Sequence, residues 1–137
     1  MSSFKIFDIA GSGMNAQNLR MNVVASNLAN VDAVSSSVGS TYRARQPVFQ
    51  AVLDQANAGG PAVGVQMAGV VESQAPLVRE YSPHHASADK DGYIYRPNVN
   101  VVEEMANMIS ASRAYQNNVE VVNATRRMLS ATINLGR

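Results

Sequence analysis

Apolar and small residues recur at spacings of three and four from Phe4 to Val31. Phe7, Ala10, Met14, Met21, Val24, Leu28 and Val31 form one stripe, with Gln17 as its polar break. That spacing predicts a helix packed lengthwise along another, in the manner of a heptad seam. Residues 98–136 repeat the pattern: Pro97 sits just outside, and Asn100 followed by Glu103 is a variant capping box. A helix is therefore expected to start near Val101 and stop at Gly136. Its seam reads Val101, Met105, Met108, Ser112, Tyr115, Val119, Val122, Leu129 and Ile133, interrupted by Arg126. A second stripe, Ala111, Ala114, Val121, Met128 and Leu135, lies beside it. At about 1.5 Å per residue this helix would be a rod of roughly 50 Å, hard to hide in a compact domain.

Between the helices the period changes. "VSSSVGS" and "QANAGGPAVG" have loop composition, whereas "TYRARQPVFQAVL", "GVQMAGVVES" and "PLVREY" read as short strands. "DKDGYIYRP" places an Asp-Gly turn before Tyr93-Ile94-Tyr95, a hairpin signal. The expected fold is α+β: long N- and C-terminal helices pairing as a coiled coil, with a small β-rich module between them. The expected boundaries are 1–32 for the first helix, 33–97 for the module and 98–137 for the second helix.

The first helix is polar without being charged. Asn15, Asn18, Asn22, Asn27 and Asn30 crowd it, and Arg20 is the sole charge between Asp8 and Asp32. Across all 137 residues only 15% are charged and the net charge is +1. Buried amides cost little once hydrogen-bonded, whereas buried charges cost several kcal/mol. The asparagine rows therefore read as polar contacts between subunits, the alternative being plain surface residues. The weak net charge gives no electrostatic case for nucleic acid or anionic membrane. No apolar run reaches the ~18 residues of a membrane span, and no cleaved signal peptide is expected from "MSSFKIFDIAGSG".

Chemistry is sparse. There is no cysteine, and His84 and His85 are adjacent, a poor basis for zinc. "GSGMNA", Gly11 to Ala16, fits the form of a dinucleotide fingerprint, but "FKIFDI" before it is no buried strand and the seam runs through the glycines. "DKDG" begins like a calcium loop, yet Asn100 stands where the twelfth-position Glu belongs. No G-x-S-x-G elbow occurs. Neither an enzyme nor a cofactor is expected.

"NVVASNLANVDA" resembles the N-terminal signature of bacterial flagellar rod and hook proteins, and "PNVNVVEEMANMISASRAYQNNVEVVNATRRM" resembles their C-terminal helix. "YRARQPVFQ", "VVESQAP" and "DGYIYRPNVNVVEEM" are similar to proximal-rod members, so the likeness covers nearly the whole chain. One departure is that Asn30-Val31 continues into Asp32-Ala33, where family members often carry a Thr and then Pro-Gly. The resemblance implies a structural subunit of the drive shaft in the basal body, in its periplasmic rod. It implies partners among other rod proteins, copies of the same chain, the flagellar export apparatus, and basal-body ring and adaptor proteins. It implies export without a cleaved signal peptide and termini that order on assembly. Ser26 to Asn30 match the N-terminal motif, while Tyr115, Asn118 and Asn123 fall in the C-terminal one. The assembly interface is expected at Phe7, Met14, Met21, Val24, Asn27, Leu28, Asn30, Val31, Val101, Met105, Met108, Tyr115, Val119, Val122, Leu129 and Ile133. The rivals are a free-standing coiled-coil adaptor, another rod paralogue, and a small nucleotide-binding protein using Gly11–Ala16.

Overall fold

The computed structural model describes residues 3–52 and 64–135. Most of the second loop-like segment, Asn57 within it, and the stop at Gly136 lie outside the described residues. The elements run α1 (Ser3–Ala29), β1 (Arg45–Val52), β2 (Gly64–Glu72), β3 (Val78–Tyr81), β4 (Tyr93–Arg96) and α2 (Val101–Leu135). The chain is α+β, two long helices with small β structure between them in sequence, as the patterning predicts.

Both helices begin or end on asparagine chemistry. Asn100 caps α2: its Oδ1 accepts from the N–H of Val102 at 3.1 Å and of Glu103 at 3.4 Å. Such a cap satisfies amides that have no partner inside the helix. Glu103 and Glu104 then occupy the first turn, where the helix dipole favours carboxylates. At the end of α1, Asn30 Nδ2 donates to the carbonyl of Ser26 at 2.8 Å, and the chain leaves through turns at Asn30, Val31 and Ala33.

The helices run antiparallel. Arg20 Nη2 donates to Asn107 Oδ1 at 3.0 Å, while Gly13 faces Asn118, so higher numbers on α1 meet lower numbers on α2. A Cβ at Gly13 would stand 3.0 Å from Asn118 Nδ2. The absent side chain is thus what lets the two backbones approach. On another side of α1, Ser12 Oγ accepts from the N–H of Val65 at 3.2 Å, and a Cβ at Gly64 would meet that oxygen at 2.8 Å. "GSG" is therefore a packing device in the middle of a continuous helix, serving α2 on one side and β2 on the other. Its fingerprint-like form has no preceding strand.

The β elements form two separate antiparallel hairpins. β1 and β2 pair from Arg45↔Glu72 to Val52↔Gly64, with a bulge where Val48↔Gly69 steps to Phe49↔Met67. Ala68 is the extra residue. Burial along β2 alternates through the bulge: Val65, Met67 and Gly69 are half-buried, Gln66, Ala68 and Val70 are exposed, and Val71 is exposed beyond them. This hairpin packs on α1. β3 and β4 pair from Val78↔Arg96 to Tyr81↔Tyr93 and contact neither helix among the described residues. The Asp-Gly signal lies at the end of the 82–92 connection instead of forming a two-residue turn. Asp89 Oδ1 accepts from the N–H groups of Asp91 and Tyr93 at 2.9 and 2.8 Å, which is Asx-turn chemistry. Gly92 follows with φ +80°, a conformation few other residues adopt.

Candidate assembly surface

Two asparagines hold the β structure to the helices. Asn27 is 0% exposed. Its Oδ1 accepts from the Tyr42 hydroxyl at 2.9 Å and from the Arg45 N–H at 2.9 Å, and its Nδ2 donates to the Arg45 carbonyl at 2.8 Å. The amide thus pairs with both backbone groups of the first β1 residue, as a neighbouring strand would. Asn98, just before α2, makes a second bracket: its Oδ1 accepts from the Ala44 N–H at 2.8 Å, and its Nδ2 donates to the Ala75 carbonyl at 2.9 Å. Arg43 Nη1 adds a bond to the Ser73 carbonyl at 3.1 Å. Burial pushes the Tyr42 phenol above its ordinary pKa; the Arg45 cation opposes this, and Glu104 and Glu72 reinforce it.

The expected interface residues divide by burial. On α1, Val24 is buried, and Phe7, Met14, Met21 and Leu28 are half-buried; Val31 and Asn30, just after the helix, are half-buried as well. Asn27 does not lie on a row open to other subunits, because its amide is engaged inside the chain. Asn15, Asn18 and Asn22 are exposed. On α2, Met108, Val119, Val122 and Leu129 are half-buried, but Val101, Met105, Tyr115 and Ile133 are exposed.

The face that α2 turns to its own chain is rotated from the apolar stripe. Glu104, Ala111 and Thr125 are its buried residues, and Met108, Asn118, Val122 and Leu129 lie in line with them at spacings of three and four, with one step of seven across Tyr115. Close approach at Gly13 favours small and hydrogen-bonded side chains here, so counting large apolar residues points elsewhere. Thr125 Oγ1 donates to the Val121 carbonyl at 2.8 Å and Asn118 Nδ2 to the Ala114 carbonyl at 3.0 Å, so these two bond within the helix, whereas Oε2 of the buried Glu104 has no partner among the described residues. The useful signal was small residues on both helices: Ala10, Gly13 and Ala16 on α1, and Ala111 and Ala114 on α2.

The remaining candidates are occupied locally. His85 Nδ1 accepts from the Ser87 N–H at 3.0 Å in the connecting loop. Arg79 stacks 3.5 Å from the Tyr93 ring centroid, and Tyr81 meets Tyr93 edge-on at 5.1 Å. Those contacts rigidify the β3–β4 hairpin and set up no nucleophile.

The pairing of the two ends is mirrored by the comparisons with known proteins. The family model described as "Flagella basal body rod protein" matches residues 7–35, and "Flagellar basal body rod FlgEFG protein C-terminal" matches residues 90–135. The "Flagellar basal-body rod protein FlgC" of Salmonella typhimurium (strain LT2) is 50% identical over 137 residues, covering 100% of both chains. That of Yersinia enterocolitica is 47% identical, also over 100% of both. That of Borreliella burgdorferi is 35% identical over 97% of each. The chain belongs to the FlgC family of flagellar basal-body rod proteins. It is a structural protein of the basal body and not an enzyme. In this rod family member the matched segments contain most of α1 and all of α2, so family likeness and helix pairing coincide.

Proposed function

We propose that this chain is a structural subunit of the proximal rod, joining copies of itself and other rod proteins through its terminal helices to make the torque-transmitting shaft. The observation that carries this reading is the end-to-end match to FlgC relatives, at 50% identity with complete coverage. The structure adds a physical rationale. A shaft must pass torque without shearing, and long helices spread that load over many small contacts. Val24 is buried and Phe7, Met14, Met21, Met108, Val119, Val122 and Leu129 are half-buried, so this part of the expected interface is already partly covered within the chain. Val101, Met105, Tyr115 and Ile133 remain exposed and supply contacts to neighbouring subunits. The finer parts of the reading are a periplasmic position, export through the flagellar apparatus without a cleaved signal, and contact with ring and adaptor proteins.

Mass spectrometry of purified basal bodies, stripped of hook and filament, tests the reading. Several copies of this chain per rod are expected. Absence from intact, rod-containing basal bodies overturns it, and a free-standing helical adaptor then becomes the better account.

A further inference from the structure

Two apolar surfaces on this chain have no partner among its described residues. One is a ridge on the first turns of α2: Val102, Met105 and Ile109 recur at spacings of three and four and are 76%, 55% and 56% exposed. The other is a groove of about 430 Å³ between α1 and β2, with Leu19, Val23, Met67 and Val70 as its apolar lining and Arg45 and Glu72 at its rim. We propose that the α1–β2 groove of one copy receives the α2 ridge of a second copy. This rests on the rod-subunit reading and names the faces it uses.

Three observations favour that occupant. The first is placement. Going round α2 at 100° per residue, the ridge lies on the far side from Glu104, Asn107 and Ala111, which face α1. A chain therefore cannot seat its own ridge in its own groove, and unless two copies exchange ridges reciprocally the contact is heterologous. Heterologous contacts build rings or open helical assemblies instead of closed pairs. The second is fit: α1 lines the groove from Leu19 to Ser26, and the ridge runs from Val102 to Ile109. Each is about 10 Å long at the helical rise. The third is charge. The three ridge side chains are uncharged, and the rim charges Arg45 and Glu72 pair with each other at 3.5 Å, so an apolar ridge enters without stranding a charge. The β1–β2 hairpin also gains cover for Val70, which is 43% exposed.

The chain has no cysteine, which makes cross-linking clean. Asn22→Cys and Met105→Cys are introduced together in cells that build rods, and Leu19→Cys with Val102→Cys forms a second, independent pair. After mild oxidation, basal bodies are isolated and this chain is followed by mobility. Cross-linked dimers and higher multiples of this chain are expected from the double variants, and only monomer from each single variant. Dimers from a single variant indicate a self-complementary contact and overturn the pairing. Double variants present in basal bodies without homotypic cross-links, or cross-linked only to a different rod protein, overturn it too. In those cases the rod reading stands, whereas absence of the unmodified chain from basal bodies removes the rod reading itself.

Discussion

Asn27 shows why a helix-poor residue sits near the end of a long helix. Its side-chain amide replaces one residue of a β ladder, pairing with the N–H and the carbonyl of Arg45 and also accepting from Tyr42. Removing it leaves buried backbone groups and a phenol without partners, which costs more than a net hydrogen bond is worth. Asn27→Ala is expected to destabilise the purified chain by about 2–3 kcal/mol in denaturant unfolding. Asn22→Ala, on the exposed face, should stay within about 0.5 kcal/mol. Equal effects would return Asn27 to the ordinary surface. Tyr42 gives a pH signature from the same bracket. Its phenol is raised above its ordinary value by burial, so the folded chain holds that proton more tightly than the unfolded one. The contribution is whole below the unfolded pKa, about 10, and is lost as pH rises through the folded value. Tyr42→Phe should therefore flatten the alkaline fall in stability, while lowering stability at neutral pH by loss of the bond to Asn27. An unchanged alkaline slope would place the titrating group elsewhere.

At the scale of elements, the two glycines near the middle of α1 separate propensity from packing. A Cβ at Gly11 meets nothing within 4 Å, whereas one at Gly13 meets Asn118 at 3.0 Å. Gly11→Ala should raise stability by about 0.5–1 kcal/mol through helix propensity alone. Gly13→Ala should give less, because Asn118 must yield, and Gly13→Leu should lower the melting temperature by prising the helices apart. Thermal melts followed by circular dichroism decide this; a gain at Gly13 as large as at Gly11 would mean that the close approach is slack. The same geometry explains what the sequence did and did not reveal. Both helices were legible, since periodicity from Phe4 to Val31 and the cap at Asn100 mark α1 and α2 to within a few residues. Which face of α2 meets α1 was not. Val101, Met105, Tyr115 and Ile133 look like a seam by hydrophobicity but stand exposed, because tight contact at Gly13 selects Ala111, Asn118 and Thr125 instead. Hydrophobic patterning reads out every apolar face of a helix and cannot say which one the chain keeps for itself. Nor could it show that Asn27 turns inward, because only the approach of Tyr42 and Arg45 gives its amide partners.

On the scale of the whole molecule, the two hairpins are held by different means. β1–β2 lies against α1 and is fastened by Asn27 and by Ser12 bonding to Val65. Among the described residues β3–β4 touches neither helix, and it is tied by the bridge between Ser35 and Tyr95, with the Asn98 bracket at its base. Its own strength is local: the Arg79–Tyr93–Tyr81 stack and an ion pair between Arg96 and Glu80 at 3.2 Å, both groups about half exposed. Exposed ion pairs contribute little, and a two-stranded hairpin with Ile94 as its one buried strand residue opens more readily than one laid along a helix. Local opening free energies follow such differences in support. Amide hydrogen exchange on the free chain should therefore show β3–β4 exchanging faster than β1–β2. Asn27→Ala should speed exchange in β1 while leaving β3–β4 nearly unchanged. If β3–β4 proves the better protected hairpin, its support comes from the 33–44 connection, and the helices are not the frame on which the β structure hangs. If Asn27→Ala speeds both hairpins alike, the Asn27 and Asn98 brackets act as one cooperative unit, and load entering through α1 would reach both hairpins together.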